Sequence, residues 1–320
     1  MTVCPMPDRT ALVAAAAETI ARGSQSFTAA SRLFAPETRD RAWLLYAWCR
    51  AADDITDGQE LGHGARAPHD PSAAQARLAA LTQTALDDDT EVPLPFAALR
   101  AVVRETGMPR YLLDDHLAGF ALDAADWRPR QEDDLLRYCY HVAGSVGCMM
   151  AVVMGVDSAD EDTLDRACDL GLAFQLANIA RDIVPDAQMG RCYIPARWLE
   201  EFGLGETTLT DPAARPALAA VAARLVTLAQ PYRASARIGA ARLPARSRLA
   251  VLAADAIYGA IGETVMHKGQ RAWDQRVRVG AWGKLGHLAM AMLRSMRQPP
   301  AQPRMGLWTR PRQSVCPVNR

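Results

Sequence analysis

Gln175-Leu176-Ala177-Asn178-Ile179-Ala180-Arg181-Asp182-Ile183-Val184-Pro185-Asp186 is the stretch on which the reading of this chain turns. Asn178, Asp182 and Asp186 stand at i, i+4 and i+8. Four residues turn an α-helix by about 400°, so such side chains stack within roughly 40° of one another on one face. A second stretch, Tyr46-Ala47-Trp48-Cys49-Arg50-Ala51-Ala52-Asp53-Asp54-Ile55-Thr56-Asp57, sets Asp53 and Asp57 at i and i+4. The neighbours are apolar or aromatic: Trp48 and Ile55 in one, Phe174, Leu176, Ile179 and Ile183 in the other. Both helices are therefore partly buried, and carboxylates there need a compensating cation or hydrogen bonds. Two stripes of hard oxygen donors suit Mg²⁺, which prefers carboxylates, waters and substrate phosphates. Arg50 and Arg181 accompany them, and guanidinium forks match phosphate oxygens. The reading is a Mg²⁺–diphosphate site between two facing helices. On spacing alone, an internal salt-bridge network accounts for the same residues equally well.

Outward from these stretches the signals are helical from end to end. Ala11 to Arg22 is alanine-rich and stops at Gly23. Pro36 to Ala52 starts with a proline near its first turn, a position that needs no backbone donor. Gly62 to Ser72 reads as a loop. Ala73 to Leu86, Phe96 to Glu105, Pro109 to Asp123, Asp133 to Met154 and Ser158 to Asp182 follow as helices. Gly190 to Glu200 is a connection with a short helix. Pro212 to Gly239, Ser247 to Lys268 and about Gly280 to Met296 complete the set. No alternating β-branched run and no Gly-x-Gly-x-x-Gly after a strand occurs, which argues against a parallel-sheet nucleotide fold. Pro185 removes a backbone donor and crowds the carbonyl of Arg181, so the helix is expected to kink or end before Asp186.

The 320 residues are half apolar, enough for a sizeable core, and Lys+Arg and Asp+Glu both number 36. A net charge of zero lacks the basic footprint of a nucleic-acid protein. Seven cysteines with no Cys-x-x-Cys pair fit a reduced cytoplasm and argue against a disulfide framework or a zinc site. Asp8 and Glu18 around the first apolar stretch, with no basic start, do not make a signal peptide. Tyr138 to Val156 lacks charged residues, but His141, Ser145 and three glycines favour a buried helix over a membrane span. The last 24 residues, from Arg297, mix five prolines with five arginines and read as a disordered, solvated tail.

Other acidic clusters are decoys. Asp87-Asp88-Asp89 lies beside prolines and reads as a solvated run. Asp114-Asp115 and Asp133-Asp134 lie near helix N-termini, where carboxylates complement the helix dipole.

Four blocks give the chain a resemblance to the squalene/phytoene synthase family over almost its full length, nearest its bacterial phytoene-synthase branch. They are Gly23-Ser24-Gln25-Ser26-Phe27, the Tyr46 to Asp57 block, Arg137-Tyr138-Cys139-Tyr140-His141-Val142-Ala143-Gly144, and Gln175 to Asp186 continuing into Gly190-Arg191-Cys192-Tyr193-Ile194-Pro195. Ala272-Trp273-Asp274-Gln275-Arg276 is a weaker fifth. The resemblance implies an all-α, single-domain isoprenoid-synthase fold (class I terpenoid synthase) around a central apolar cavity, over residues 1–296, with 297–320 as the tail. It implies that Asp53, Asp57, Asp182 and Asp186 face Mg²⁺, or Mn²⁺ in its place, with Asn178 assisting. It places Arg50, Arg181 and Arg276 on diphosphate oxygens. Tyr46, Ser24, Ser26, Phe27, Gln175 and Tyr258 would line the same site. Capping for the serines and core packing for Tyr258 are the plain alternatives.

The implied reaction is the first committed step of carotenoid biosynthesis. Two geranylgeranyl diphosphates condense head to head through prephytoene diphosphate to phytoene, without NADPH. Ala143, Gly144 and Gly147 would leave room for prenyl chains, and Met149 and Met150 would adapt to them. The implied setting is cytoplasmic, with peripheral contact at the inner face of the membrane for product handover and contact with upstream and downstream carotenoid enzymes. Three alternatives stand beside this: a dehydrosqualene or squalene synthase using farnesyl diphosphate, a terpene cyclase, and a non-catalytic assembly factor on the same fold.

Overall fold

A computed structural model describes residues 8–23, 25–58, 70–277, 280–297, 299–300 and 302–312. Thirteen α-helices run through them, and among the described residues there is no strand. In chain order they are α1 (Arg9–Gly23), α2 (Gln25–Ser31), α3 (Pro36–Asp57), α4 (Pro71–Asp87), α5 (Leu94–Thr106), α6 (Arg110–Ala124), α7 (Glu132–Cys139), α8 (Ser145–Val153), α9 (Glu161–Gln188), α10 (Ala196–Glu201), α11 (Arg215–Ala240), α12 (Ala245–Lys268) and α13 (Ala281–Ser295).

α9 is the axis of the fold. It packs against α7, α8, α11 and α12, and its burial alternates with that packing: Leu164, Cys168, Leu172, Leu176 and Ala180 are sealed from solvent. The approach of α8 is close enough to need glycine. A Cβ on Gly171 would sit 2.3 Å from the Ala143 carbonyl oxygen, and one on Gly147 would sit 2.4 Å from that of Ala167. Two helices at that spacing leave no room for side chains between them, so their outer faces become the walls of the space beside them.

Several expectations are corrected. Asp133 to Met154 is not one α-helix. A π turn, Tyr140–Gly144, separates α7 from α8. π turns occur mostly as single insertions at functional sites, and this one is clasped by α6: His116 Nδ1 lies 3.2 Å from His141 O, and His141 Nδ1 lies 2.8 Å from Asp115 O. Tyr140 Oη also donates to the Asp115 carboxylate, which therefore serves as a tertiary acceptor and not as a cap. Asp134 does cap, taking the backbone N–H of Arg130 and Gln131 at 3.0 and 3.1 Å. Ser72 belongs to α4, not to the loop before it, because the Asp70 side chain caps that helix by accepting from Ala73 N at 2.9 Å. α3 runs on past Ala52 to Asp57, where Gly58 stops it in the left-handed conformation. The remainder of the loop expected over Gly62 to Ser72 lies largely outside the described residues.

Pro185 does not end α9, which continues to Gln188. The proline sits in the last turn, where the ladder has few bonds left to lose. Ile183 and Val184, 3% and 4% exposed, hold that turn on the core. The tail is also ordered where it is described. Arg304 forks onto Asp169 at 2.6 and 2.8 Å. Arg310 and Arg312 pair with Glu161 and Asp165. Trp308 packs on Tyr140, and its N–H donates to Tyr232 Oη. Glu161, Asp165 and Asp169 form an i, i+4, i+8 stripe on α9, so the arginines that suggested a solvated tail strap it to an acidic helix face.

Among the described residues one helix, Ala245–Arg271 with its short extension, is long and apolar enough to cross a membrane by length and composition. Half of its apolar window is buried in the fold. Asp255 within it is 1% exposed and accepts from Arg233 and Arg237 at 2.7 Å each.

Candidate active site

The two stripes land on helices that face each other across a cavity. On α3, Tyr46, Arg50, Asp53 and Asp57 follow one another at spacings of four, three and four and so share a face. The opposite face, with Leu44, Trp48 and Ala52, is buried in the core. On α9 the same logic aligns Gln175, Asn178, Asp182 and Asp186. Between them lies a cavity of about 450 Å³. Asp53, Asn178, Gln175 and Tyr46 stand at its polar end, and Met154, Thr163, Arg166 and Leu243 at the other.

The walls between are apolar. Phe27 stacks on Tyr46 with ring centroids 5.4 Å apart, and Phe174 stacks on Tyr258 at 4.0 Å; all four rings line the cavity. Ala143, Val146, Gly147, Met150, Ala167 and Gly171 supply the side formed by α8 and α9. Two expected wall residues do not. Gly144 faces Cys168, whose Sγ would lie 2.9 Å from an added Cβ, and Met149 is fully buried in the core. A one-residue shift around a helix separates Met149 from Met150, and the π turn resets which face points inward.

Arginines govern the charge at the polar end. Arg50 donates to Asp54 at 2.7 and 3.0 Å and lies 3.6 Å from Asp53. Arg181 holds Asp182 through both carboxylate oxygens, with Nε at 2.9 Å from Oδ1. Arg276 reaches the same carboxylate at 3.2 Å. Burial alone would raise the Asp182 pKa, but Arg181 and Arg276 outweigh it and hold the group ionised below its usual range. Asp53 and Asp186 differ. Burial, together with the neighbouring acids, pushes each up to about 7, against the pull of Arg50 on Asp53 and of Arg191 on Asp186. Asp53 is half open by area, yet it opens into the cavity, which screens poorly compared with bulk water.

Three residues that the stripes did not announce complete this end. Arg191 Nη2 donates to Asp57 Oδ1 at 2.8 Å, and its backbone N–H donates to Asp186 O at 2.8 Å. Asp123, in the last turn of α6, accepts from Tyr138 Oη and Tyr193 Oη at 3.1 Å each. Burial raises its pKa, with the Arg191 charge working the other way. Arg191 and Tyr193 lie in the Gly190 to Pro195 block, so a sequence signal existed for them. Asp123 carried none beyond its place near the end of a helix. Ser24 lies outside the described residues. Ser26 is in α2, and its side chain is likewise outside them.

Among the described residues no three His, Cys, Asp or Glu side chains are arranged to hold an ion by themselves. The donor set nonetheless fits Mg²⁺. It is all oxygen, it comes in two stripes, and two of its acids are destabilised by burial and mutual repulsion, which a divalent cation relieves. Mg²⁺ commonly keeps waters and takes phosphate oxygens to complete its shell, so an all-protein cage is not needed for these residues to fit it.

Residues 20–283 match the squalene/phytoene synthase family. The chain is 47% identical over 303 residues to a 15-cis-phytoene synthase of a Paracoccus species, covering 94% of this chain and 98% of that one. It is 47% identical over 302 residues to the 15-cis-phytoene synthase of Pantoea ananas, covering 92% and 97%. Among solved structures it superimposes on a dehydrosqualene synthase in complex with ligand with a TM-score of 0.79 at 26% identity, over 89% of this chain and 96% of that one.

Proposed function

The chain belongs to the squalene/phytoene synthase family, and from that premise we propose how it acts as a phytoene synthase. It is a prenyltransferase, working on prenyl diphosphates. The substrate is geranylgeranyl diphosphate, two molecules of which are joined head to head. The observation that carries this reading is the cavity, with the acidic stripes at one end and walls that are mostly apolar between there and Thr163 and Arg166 at the other. From Asn178 to Thr163 it follows fifteen residues of α9, about 22 Å at the helical rise. That matches a four-isoprene chain drawn out with its diphosphate between the stripes, and a three-isoprene chain would leave the far end by Arg166 unfilled.

Asp53, Asp57, Asp182 and Asp186 would hold Mg²⁺, with Asn178 assisting, and Arg50, Arg181, Arg191 and Arg276 would hold diphosphate oxygens. Bound there, the metal supplies positive charge to the leaving diphosphate. The arginines add fixed donors where negative charge develops as the C1–O bond breaks. The allylic cation so formed is captured by the double bond of the second substrate, and loss of a proton closes the cyclopropane of prephytoene diphosphate. A second C–O cleavage, ring rearrangement and loss of another proton give phytoene. Two diphosphates and two protons leave, no hydride enters, and NADPH has no part. The departing diphosphate, held by the arginines, is the proposed proton acceptor. Phe27, Tyr46, Phe174 and Tyr258 wall the cation from water, which would otherwise quench it.

The test of chain length is direct competition. Purified enzyme given equal farnesyl and geranylgeranyl diphosphate should consume the longer one with a kcat/KM at least about tenfold higher, the scale of a few buried methylenes. A preference for farnesyl diphosphate would transfer the assignment to dehydrosqualene synthesis.

A further inference from the structure

The cavity ends against a charge. Met154, Leu243, Thr163 and Arg166 line its far end, and Arg166 is a buried cation, 4% exposed. The methionine beside it can yield to a hydrocarbon by a change of rotamer. Arg166 cannot, because each of its guanidinium nitrogens is taken, and by three different parts of the chain. Nε donates to Asp162 on α9 at 3.0 Å, Nη1 to Ser235 Oγ on α11 at 3.2 Å, and Nη2 to the Gln302 carbonyl in the C-terminal segment at 2.9 Å. Its stem lies against α11 at a glycine: a Cβ on Gly239 would sit 2.6 Å from Arg166 Cβ and 3.4 Å from its Cδ. Thr163 is held as firmly, donating to Asp160 at 2.6 Å and accepting from Arg242 at 2.8 Å.

The C-terminal segment is fixed at the same place. Arg166 and Asp169 stand at i and i+3 on α9 and so share a face. The Gln302 carbonyl accepts from the cation, and Arg304, two residues on, forks onto the carboxylate at 2.6 and 2.8 Å. One short stretch of the tail thus answers both charges, and the fork anchors the carbonyl that faces Arg166. No residue of 302–312 lines the cavity, so the effect of the tail on that space runs through Arg166.

We propose that Arg166 sets the upper limit of substrate length at four isoprene units, and that the C-terminal segment takes part in substrate selection by holding Arg166 in place. The inference rests on the prenyl transfer proposed above. A chain of four units reaches this floor and stops. A fifth unit would have to displace the guanidinium from Asp162, Ser235 and Gln302, and hydrocarbon offers no hydrogen bond in return. A shorter chain meets no such obstacle. The floor therefore discriminates in one direction: it excludes longer substrates and leaves the choice between three and four units to the filling of the cavity. Arg166 is on this account a specificity-determining residue, and Arg304 is a positioning residue that acts through Gln302.

The test is competition between geranylgeranyl diphosphate and its five-isoprene homologue. Purified full-length enzyme receives Mg²⁺ and equal amounts of both, and mass spectrometry follows the consumption of each. The ratio of the two kcat/KM values does not depend on how much of the enzyme is folded, so a merely structural loss leaves it unmoved. Wild type should favour the four-isoprene substrate by about a hundredfold. Arg166→Ala should cut that preference by about tenfold or more and yield hydrocarbons longer than forty carbons. Arg166→Lys, which keeps the stem and the charge, should retain most of it. Arg304→Gln with Asp169→Asn, which releases the strap without stranding a buried charge, should move the ratio in the same direction as Arg166→Ala, by about threefold or more. Wild type that takes both substrates equally, or an Arg166→Ala enzyme that selects as wild type does, overturns the proposal, and Arg166 would then be a staple between α9 and α11. A double variant that selects as wild type does removes the C-terminal segment from the selection. Should Arg166→Ala fail to fold, the double variant decides, and an unmoved ratio there overturns the proposal. An enzyme that joins no prenyl diphosphate removes the proposed function and this inference with it. Phytoene formed with an unmoved ratio removes this inference alone.

Discussion

Arg191 Nη2 and Asp57 Oδ1 lie 2.8 Å apart, although 134 residues separate them in the chain. This contact ties the loop after α9 to the last turn of α3, so each carboxylate stripe is positioned with reference to the other. On the proposed function, a diphosphate entering between them would compete with Asp57 for the same guanidinium. Arg191→Gln should lower kcat/KM by about 10² while leaving the circular dichroism spectrum intact, and Arg191→Lys should recover only part, because an ammonium lacks the planar fork. Steady-state kinetics across substrate concentration check this, and a Gln variant within twofold of wild type would place Arg191 outside the reaction.

The stripes themselves should be indispensable. Asp53→Asn or Asp182→Asn keeps shape and removes charge, and turnover should fall by on the order of 10² or more. The continuous helix through Pro185 changes what is expected of Asp186. A proline that ended the helix would have left Asp186 on a loose segment, less important than Asp182. Presented on an intact turn, Asp186→Ala should hurt as much as Asp182→Ala, and Pro185→Ala should be nearly silent. Turnover measured over a series of Mg²⁺ concentrations separates the cases, since a mild Asp186→Ala defect rescued by excess Mg²⁺ would restore the loose-segment picture.

The strap over α9 should contribute to stability. Asp169 is fully buried, and Arg304 is its forked partner. Arg304→Gln leaves a buried charge without compensation, at a cost of about 3–5 kcal/mol. Thermal melts should show a fall of several degrees. Asp169→Asn added to Arg304→Gln should recover most of it, because the unpaired charge is then gone. Equal melting of wild type and Arg304→Gln would mean the strap is not held in solution.

These two sets of carboxylates show what was legible and what was not. The spacing that marked Asn178, Asp182 and Asp186 also marks Glu161, Asp165 and Asp169 on the same helix. Periodicity gives the face and not its partner. One stripe looks into a cavity, the other meets arginines more than 130 residues downstream, and that pairing is set by tertiary packing. The all-helical architecture, the helix positions and the apolar character of Tyr138 to Val156 were readable because they depend on local periodicity. The π turn was not, since one extra residue per turn leaves no mark in hydrophobic spacing yet decides that Met150 and not Met149 meets the cavity. Asp123 was unreadable for the same reason as the strap: its tyrosine partners come from α7 and from the loop after α9.

His116 offers a pH test of the clasp around that π turn. It is 5% exposed, its ring packs against Trp48 and Phe120, and Nδ1 faces the His141 carbonyl. Burial lowers its pKa from 6.5 to about 4. The folded protein therefore favours the neutral ring, and the unfolded chain takes up the proton first. Its contribution to stability is full above about pH 6.5 and is lost as pH falls toward 4, by about 3 kcal/mol in all. His116→Phe should melt lower at neutral pH but lose less between pH 6.5 and 4 than wild type does. Parallel melting curves over that range would show that the imidazole charges freely in the fold.

The central claim is that the two facing stripes and the long apolar cavity condense two geranylgeranyl diphosphates without a reductant. The direct measurement is incubation of purified protein with geranylgeranyl diphosphate and Mg²⁺ in the absence of NADPH, followed by identification of the hydrocarbon by chromatography and mass spectrometry. The account predicts a forty-carbon product retaining its central double bond, with two diphosphates released per molecule and none formed once the metal is chelated. A product only in the presence of NADPH, or a cyclised product from a single substrate molecule, would contradict it.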